Sequence, residues 1–190
     1  MRRTGLGLAI VLAVLSLCAP ARATAQIMTA TPGDTVILDS LRQSYLDALV
    51  EVRDTLATLA ADMSWFRQDL AGVGAETVLN RAGALHGACV SSVSVLRAVE
   101  PVFRPSRAPN DRVRNESEAL VSEMRALRGT LDEHCLTGLA LDGPGEWADT
   151  LRAWGPYRLR GIGLEVQAYH GASARFQRAA EIKVKPRLPS

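Results

Sequence analysis

Aromatic residues are scarce in this chain: three Trp, three Tyr and three Phe among 190 residues. A core with so few rings must be built mostly from Leu, Val and Ala, which favours close helix approach over a wide slot for a haem. Lysine is nearly missing too. Lys183 and Lys185 are the only two, and arginine supplies every other cation. Neither sign of charge dominates. The formal charge is +2, but Arg2, Arg3 and Arg22 fall in the first 25 residues, which hold no acid. Without them 19 basic groups face 20 acidic ones, so overall charge gives no support to nucleic-acid binding.

Catalytic motifs are missing as well. There is no Cys-x-x-Cys-His haem attachment, no His-Glu-x-x-His zinc helix and no Gly-x-Ser-x-Gly elbow. Gly161-Ile162-Gly163 is too short for a phosphate loop and lacks a preceding strand. No internal repeat or low-complexity tract appears. Nothing here points to an enzyme or to a resident cofactor.

One long apolar run is present, Leu6 to Ala19, behind Arg2 and Arg3. Ala21-Arg22-Ala23 and Ala23-Thr24-Ala25 both fit the small-x-small cleavage rule. Residues 1–25 therefore read as a secretory signal cleaved before Gln26, which predicts a periplasmic or extracellular protein. The alternative is a membrane anchor at residues 6–19, but 14 residues fall short of the ~20 needed to span a bilayer. Cys18 ends the run, but Leu17 sits where a lipobox requires a small residue.

The stretch from Asp34 to Leu70 organises the rest. Leu38, Tyr45, Val52, Leu59 and Phe66 recur every seven residues, with Leu49, Leu56, Met63 and Leu70 beside them and Leu41 and Ala48 filling the early turns. No Pro or Gly interrupts it, so the pattern predicts one amphipathic helix roughly 55 Å long. It carries seven acids against three arginines. Residues 75–99 predict a second helix through Val78, Ala82, Leu85, Cys89, Ser92 or Val93, Leu96 and Val99. Its Gly83 and Gly87 imply close approach of a neighbour. Pro101, Pro105 and Pro109 predict an extended connector. Asn110 or Asp111 caps a third helix with Val113, Ser117, Leu120, Met124, Leu127, Leu131 and His134 or Cys135 inward. The sequon Asn115-Glu116-Ser117 falls within that helix, with Ser117 inward, and reads as chance. A short helix over 146–153 is expected to break at Gly155-Pro156, and a last helix to run over about 157–182. Residues 146–190 carry eight basic and four acidic groups, which places that helix beside the acidic first one. Residues 183–190 read as a flexible basic tail.

The expected fold is an all-α, antiparallel up-down-up-down four-helix bundle spanning residues 26–182, with a long first helix and a short extra helix before the last. Cys89 and Cys135 remain after the signal, and an even pair in an exported chain reads as a disulfide. The pairing requires the connector to climb about 18 Å, so that both cysteines come level near residues 56–59. The same register brings His86 and His134 level near Met63. That trio is a candidate ligand, haem or metal site, although a packed seam beside the disulfide accounts for it better. Trp147, Trp154 and Tyr157 form the densest aromatic patch. It is a candidate partner surface or an end cap. The favoured function is a non-enzymatic interaction module, an accessory subunit of an envelope or membrane complex. Small-ligand, haem or metal binding is the alternative.

Overall fold

The computed structural model describes residues 32–137 and 144–185, and the side chains of all of these except 32–36, 144–148 and 154. The chain is all-helical, with no strand among the described residues. The expected signal segment, and residues 186–190 of the expected tail, lie outside them.

Helix α1 spans Pro32–Trp65, 34 residues or about 51 Å. It opens on a proline, whose fixed φ and missing N–H suit a first turn. It stops five residues before Leu70. Arg67 and Gln68 turn their amides back to the carbonyls of Ser64 and Trp65, and Asp69 Oδ1 accepts from the Ala71 amide. Phe66 and Leu70 still reach the core, from a turn rather than a helix. Every other residue of the α1 stripe is buried except Leu38 and Leu41, which are half-buried at the opening turns.

Helix α2, Ala75–Val99, buries all of its expected stripe. The connector after it is not extended. It winds into two short 3₁₀ turns, Glu100–Phe103 and Pro105–Arg107, because Pro101 and Pro105 each hold a φ suited to a first turn. Phe103 is thereby driven fully into the core. It stacks on Tyr45 at 5.7 Å between centroids and meets Phe176 edge-on at 5.2 Å. Tyr45 and Phe176 close the triangle at 4.9 Å.

Helix α3, Asp111–Leu131, is capped as expected, with Asn110 Oδ1 accepting from the Val113 amide at 2.9 Å. It widens into a π turn, Asp132–Leu136, that delivers Cys135. Helix α4 runs unbroken over Pro144–Ala179 with Pro156 inside it, so the expected short separate helix does not exist. The reason is phase. Leu151, Gly155, Leu159 and Ile162 are buried at 4-4-3 spacing, on the same stripe as Tyr169, Ser173 and Phe176. Burial on both sides of Pro156 outweighs the one hydrogen bond the proline forfeits.

Ala179 is followed by a Schellman closure. Glu181 takes φ 56°, and the Ile182 amide donates to the Gln177 carbonyl at 3.0 Å. Residues 182–185, where the tail was expected to begin, are tied down. The Val184 amide donates to Gln177 Oε1, and Arg53 of α1 donates to the Lys185 carbonyl. The starts of α1 and α3 meet the end of α4 around one cavity. Cys89 and Cys135 are bridged, with Cα atoms 6.3 Å apart. Glu100 at the end of α2 binds Arg125 and Arg128 of α3. The end of α2 therefore lies beside the later half of α3, and the connector runs on past it before α3 begins.

Candidate functional site

Each expected site residue has a definite place. The Cys89–Cys135 bridge is fully buried and joins α2 to the π turn. Cys135 Sγ lies 3.9 Å from the Leu85 carbonyl oxygen, which sets His86 and His134 at one level of the molecule. Met63 is buried, whereas both histidines are only half-buried. The His134 ring packs on the α4 backbone: a Cβ on Gly161 would sit 3.2 Å from its Cδ2 and 3.4 Å from its Nε2. His134 is therefore a wedge between the π turn and α4, not the interior polar group of a seam. Among the described residues no group of three His, Cys, Asp or Glu side chains is placed to hold a metal ion. Of the aromatic patch, Tyr157 stands out into solvent, 73% exposed. The side chains of Trp147 and Trp154 fall outside the described ones.

The serine hydroxyls that find partners are occupied locally. Ser44, Ser64 and Ser92 donate to carbonyls of their own helix, and Ser173 accepts from the Gln177 amide. The Tyr169 phenol is pushed well above its ordinary pKa by burial, with the Ser173 hydroxyl pulling weakly the other way. Neither arrangement resembles an activated nucleophile, which needs a base within hydrogen-bond reach.

The unexpected surface is on α2. Gly83 and Gly87 were expected to be covered by a neighbouring helix. Both are exposed, and a Cβ at either would meet nothing within 4 Å. Ala84, Val90, Ser91 and Ser94 are exposed with them, and between Arg81 and Arg97 α2 carries no Asp, Glu, Lys or Arg. The helix is long and apolar enough to cross a membrane by length and composition. Its stripe through Leu85, Cys89 and Leu96 is nevertheless buried against protein. Beside the glycines a groove of about 500 Å³ opens between α1 and α2, lined by Asp54, Thr55, Thr58, Asp62, Ala84, Ala88 and Ser91. Thr55 and Thr58 spend their hydroxyls on the carbonyls of Glu51 and Asp54. Asp54 is paired with Arg53, whereas Asp62 has no ion-pair partner among the described residues.

Among the described residues, no acid of the first helix is ion-paired to a base of the last. The pair that joins them runs the other way, Arg42 of α1 to Glu181 past the end of α4 at 2.9 Å.

The chain matches no family model, no curated protein and no solved structure.

Proposed function

We propose that this protein is an exported, non-enzymatic interaction module, an accessory subunit of an envelope or membrane-associated complex, built as an antiparallel up-down-up-down four-helix bundle. The observation that carries the reading is the open glycine face of α2. A glycine in a helix interior costs about 1 kcal/mol relative to alanine, and within this chain no close packing offsets that cost at Gly83 or Gly87. A partner helix packed closely on the face would offset it, because small residues let backbones approach. The groove sets the partner's chemistry: an apolar or small-residue ridge flanked by a basic side chain that meets Asp62. Export is supported by the basic, apolar and small-residue segments of the first 25 residues and by the buried disulfide.

Affinity purification from the native envelope tests this with Gly87→Leu, which the open space around the position should let fold. A protein retained by the wild type and lost with Gly87→Leu supports the reading. Equal retention, or no retained protein, overturns it. The competing haem or metal reading at Met63, His86 and His134 predicts a Soret band or one metal ion per chain in purified protein.

A further inference from the structure

A second surface lies on α4, on the side turned away from the core. Arg160, Leu164, Gln167, Gly171 and Arg178 are exposed there. At 3.6 residues per turn they fall within about 60° of one another around the helix. Tyr157 and Arg175 flank that row on one side and His170 on the other. The row carries no acid. Between Tyr157 and Ala180 the one carboxylate is Glu165, which is half-buried and lies roughly 100° beyond the edge of the row.

The cations on this side are largely uncompensated. Arg175 reaches Glu116 of α3 at 3.3 Å, but Arg160 and Arg178 have no ion-pair partner among the described residues. The chain's two lysines follow α4 directly, and both are exposed and unpaired. Gln177 holds the Val184 amide and Arg53 the Lys185 carbonyl, so the lysines stay beside the helix. Lys185 shares a cleft with His170. Among these groups stand Tyr157 and Leu164, 73% and 58% exposed. Single exposed apolar residues are ordinary. These two lie seven residues apart on one face, interleaved with free guanidinium groups.

We infer that this face of α4 docks on the surface of an anionic phospholipid bilayer. The row is a convex ridge with two apolar side chains, too little apolar area to anchor a standard protein interface. A bilayer asks less: a shallow apolar foothold beneath a layer of phosphates. Arginine suits that layer, because its planar fork matches phosphate oxygens and its stem lies along apolar neighbours. Tyr157 belongs at headgroup depth, and Leu164 reaches the acyl boundary. The excess of cations requires the lipid to be anionic. This surface is separate from the α2 face, and neither reading rests on the other.

Co-sedimentation of the protein, purified from its own cells, with phosphatidylglycerol vesicles is the test. The expected result is saturable binding that weakens with added salt and is missing from pure phosphatidylcholine vesicles. Arg160→Gln combined with Arg178→Gln should weaken it about thirtyfold. Leu164→Ser should weaken it about tenfold. These side chains are exposed, so the variants should keep the wild-type circular dichroism spectrum. Gly87→Leu, which alters only the α2 face, should bind as wild type does. No binding to phosphatidylglycerol overturns the proposal, and is the outcome if the face serves an acidic protein. Equal binding to both lipids, equal binding by the double arginine variant, or loss of binding in Gly87→Leu overturns it as well.

Discussion

His134 and Gly161 are matched to each other: the imidazole edge occupies the space that a side chain at Gly161 would need. The contact fastens the π turn to the middle of α4, one residue from the disulfide that fastens the same turn to α2. It also separates glycines that look alike in sequence. Gly161 is small because something lies on it, whereas Gly83 and Gly87 are small with nothing upon them.

That difference can be measured. Gly83→Ala and Gly87→Ala should each raise stability by about 0.5–1 kcal/mol, since alanine gains helix propensity and meets no clash. Gly161→Ala should gain nothing or lose about 1 kcal/mol, because the His134 ring must move aside. Urea unfolding of the three variants decides it. A loss at Gly83 or Gly87 would mean that the face is already covered in solution.

Pro156 is exposed and lies inside a continuous helix. Pro156→Ala restores an amide that can reach the Arg152 carbonyl and relieves the ring's clash there. Thermal unfolding should shift upward, by a stabilisation of about 1–3 kcal/mol. An unchanged or lowered midpoint would show that the proline's local geometry is itself required for packing.

Glu100 supplies a pH signature. Its carboxyl is held below the ordinary value of 4.5, first by the Arg125 hydrogen bond, with burial opposing, and then by the charge of Arg125 and by Arg128. A depressed carboxyl favours folding when ionised, so its contribution is complete above 4.5 and fades as pH falls through the folded value. Arg125 is largely exposed, which limits the worth of the cluster to about 1 kcal/mol. Denaturant midpoints of Glu100→Gln should lie below wild type at pH 7 and converge with it in acid. Parallel curves at all pH values would remove Glu100 as the cause.

The bridge closes a loop of 46 residues. Cys89→Ser with Cys135→Ser should lower stability by about 3–4 kcal/mol by freeing the unfolded chain. Mass analysis without reductant should find two hydrogens fewer than the free-thiol mass. Two alkylatable thiols in unreduced, denatured protein would contradict the pairing.

The buried stripes were legible because they obey one period. Tyr45, Val52 and Leu59, or Val113, Leu120 and Leu127, can be placed inward by counting, and all are buried. The disulfide was legible because the same counting gives axial level, and only a climbing connector satisfied both cysteines. What escaped had no period to count. Phe103 sits among prolines with no repeating neighbour, so nothing in its surroundings distinguishes a core plug from a loop residue. Pro156 carries a strong local rule, and the unbroken phase of Leu151, Gly155, Leu159 and Ile162 was the weaker sign that proved correct. Tyr45 could be placed inward by period, but where its hydroxyl ends up depends on how Phe103 and Phe176 pack on the ring. The emptiness above Gly83 and Gly87 depends on how all the helices pack.

The clamps from residues 181–185 onto α1 have a consequence for the order of events during synthesis. Arg42 and Arg53 belong to α1, and their partners Glu181 and Lys185 follow α4 and so emerge well after it. The aromatic triangle repeats the arrangement, since Tyr45 waits for Phe103 and then for Phe176. A nascent chain can zip α1 against α2 early, yet one flank of α1 stays uncovered until α4 has been made. Ribosome stalling or truncation short of Phe176 should therefore leave a sticky, protease-sensitive hairpin rather than a smaller stable bundle.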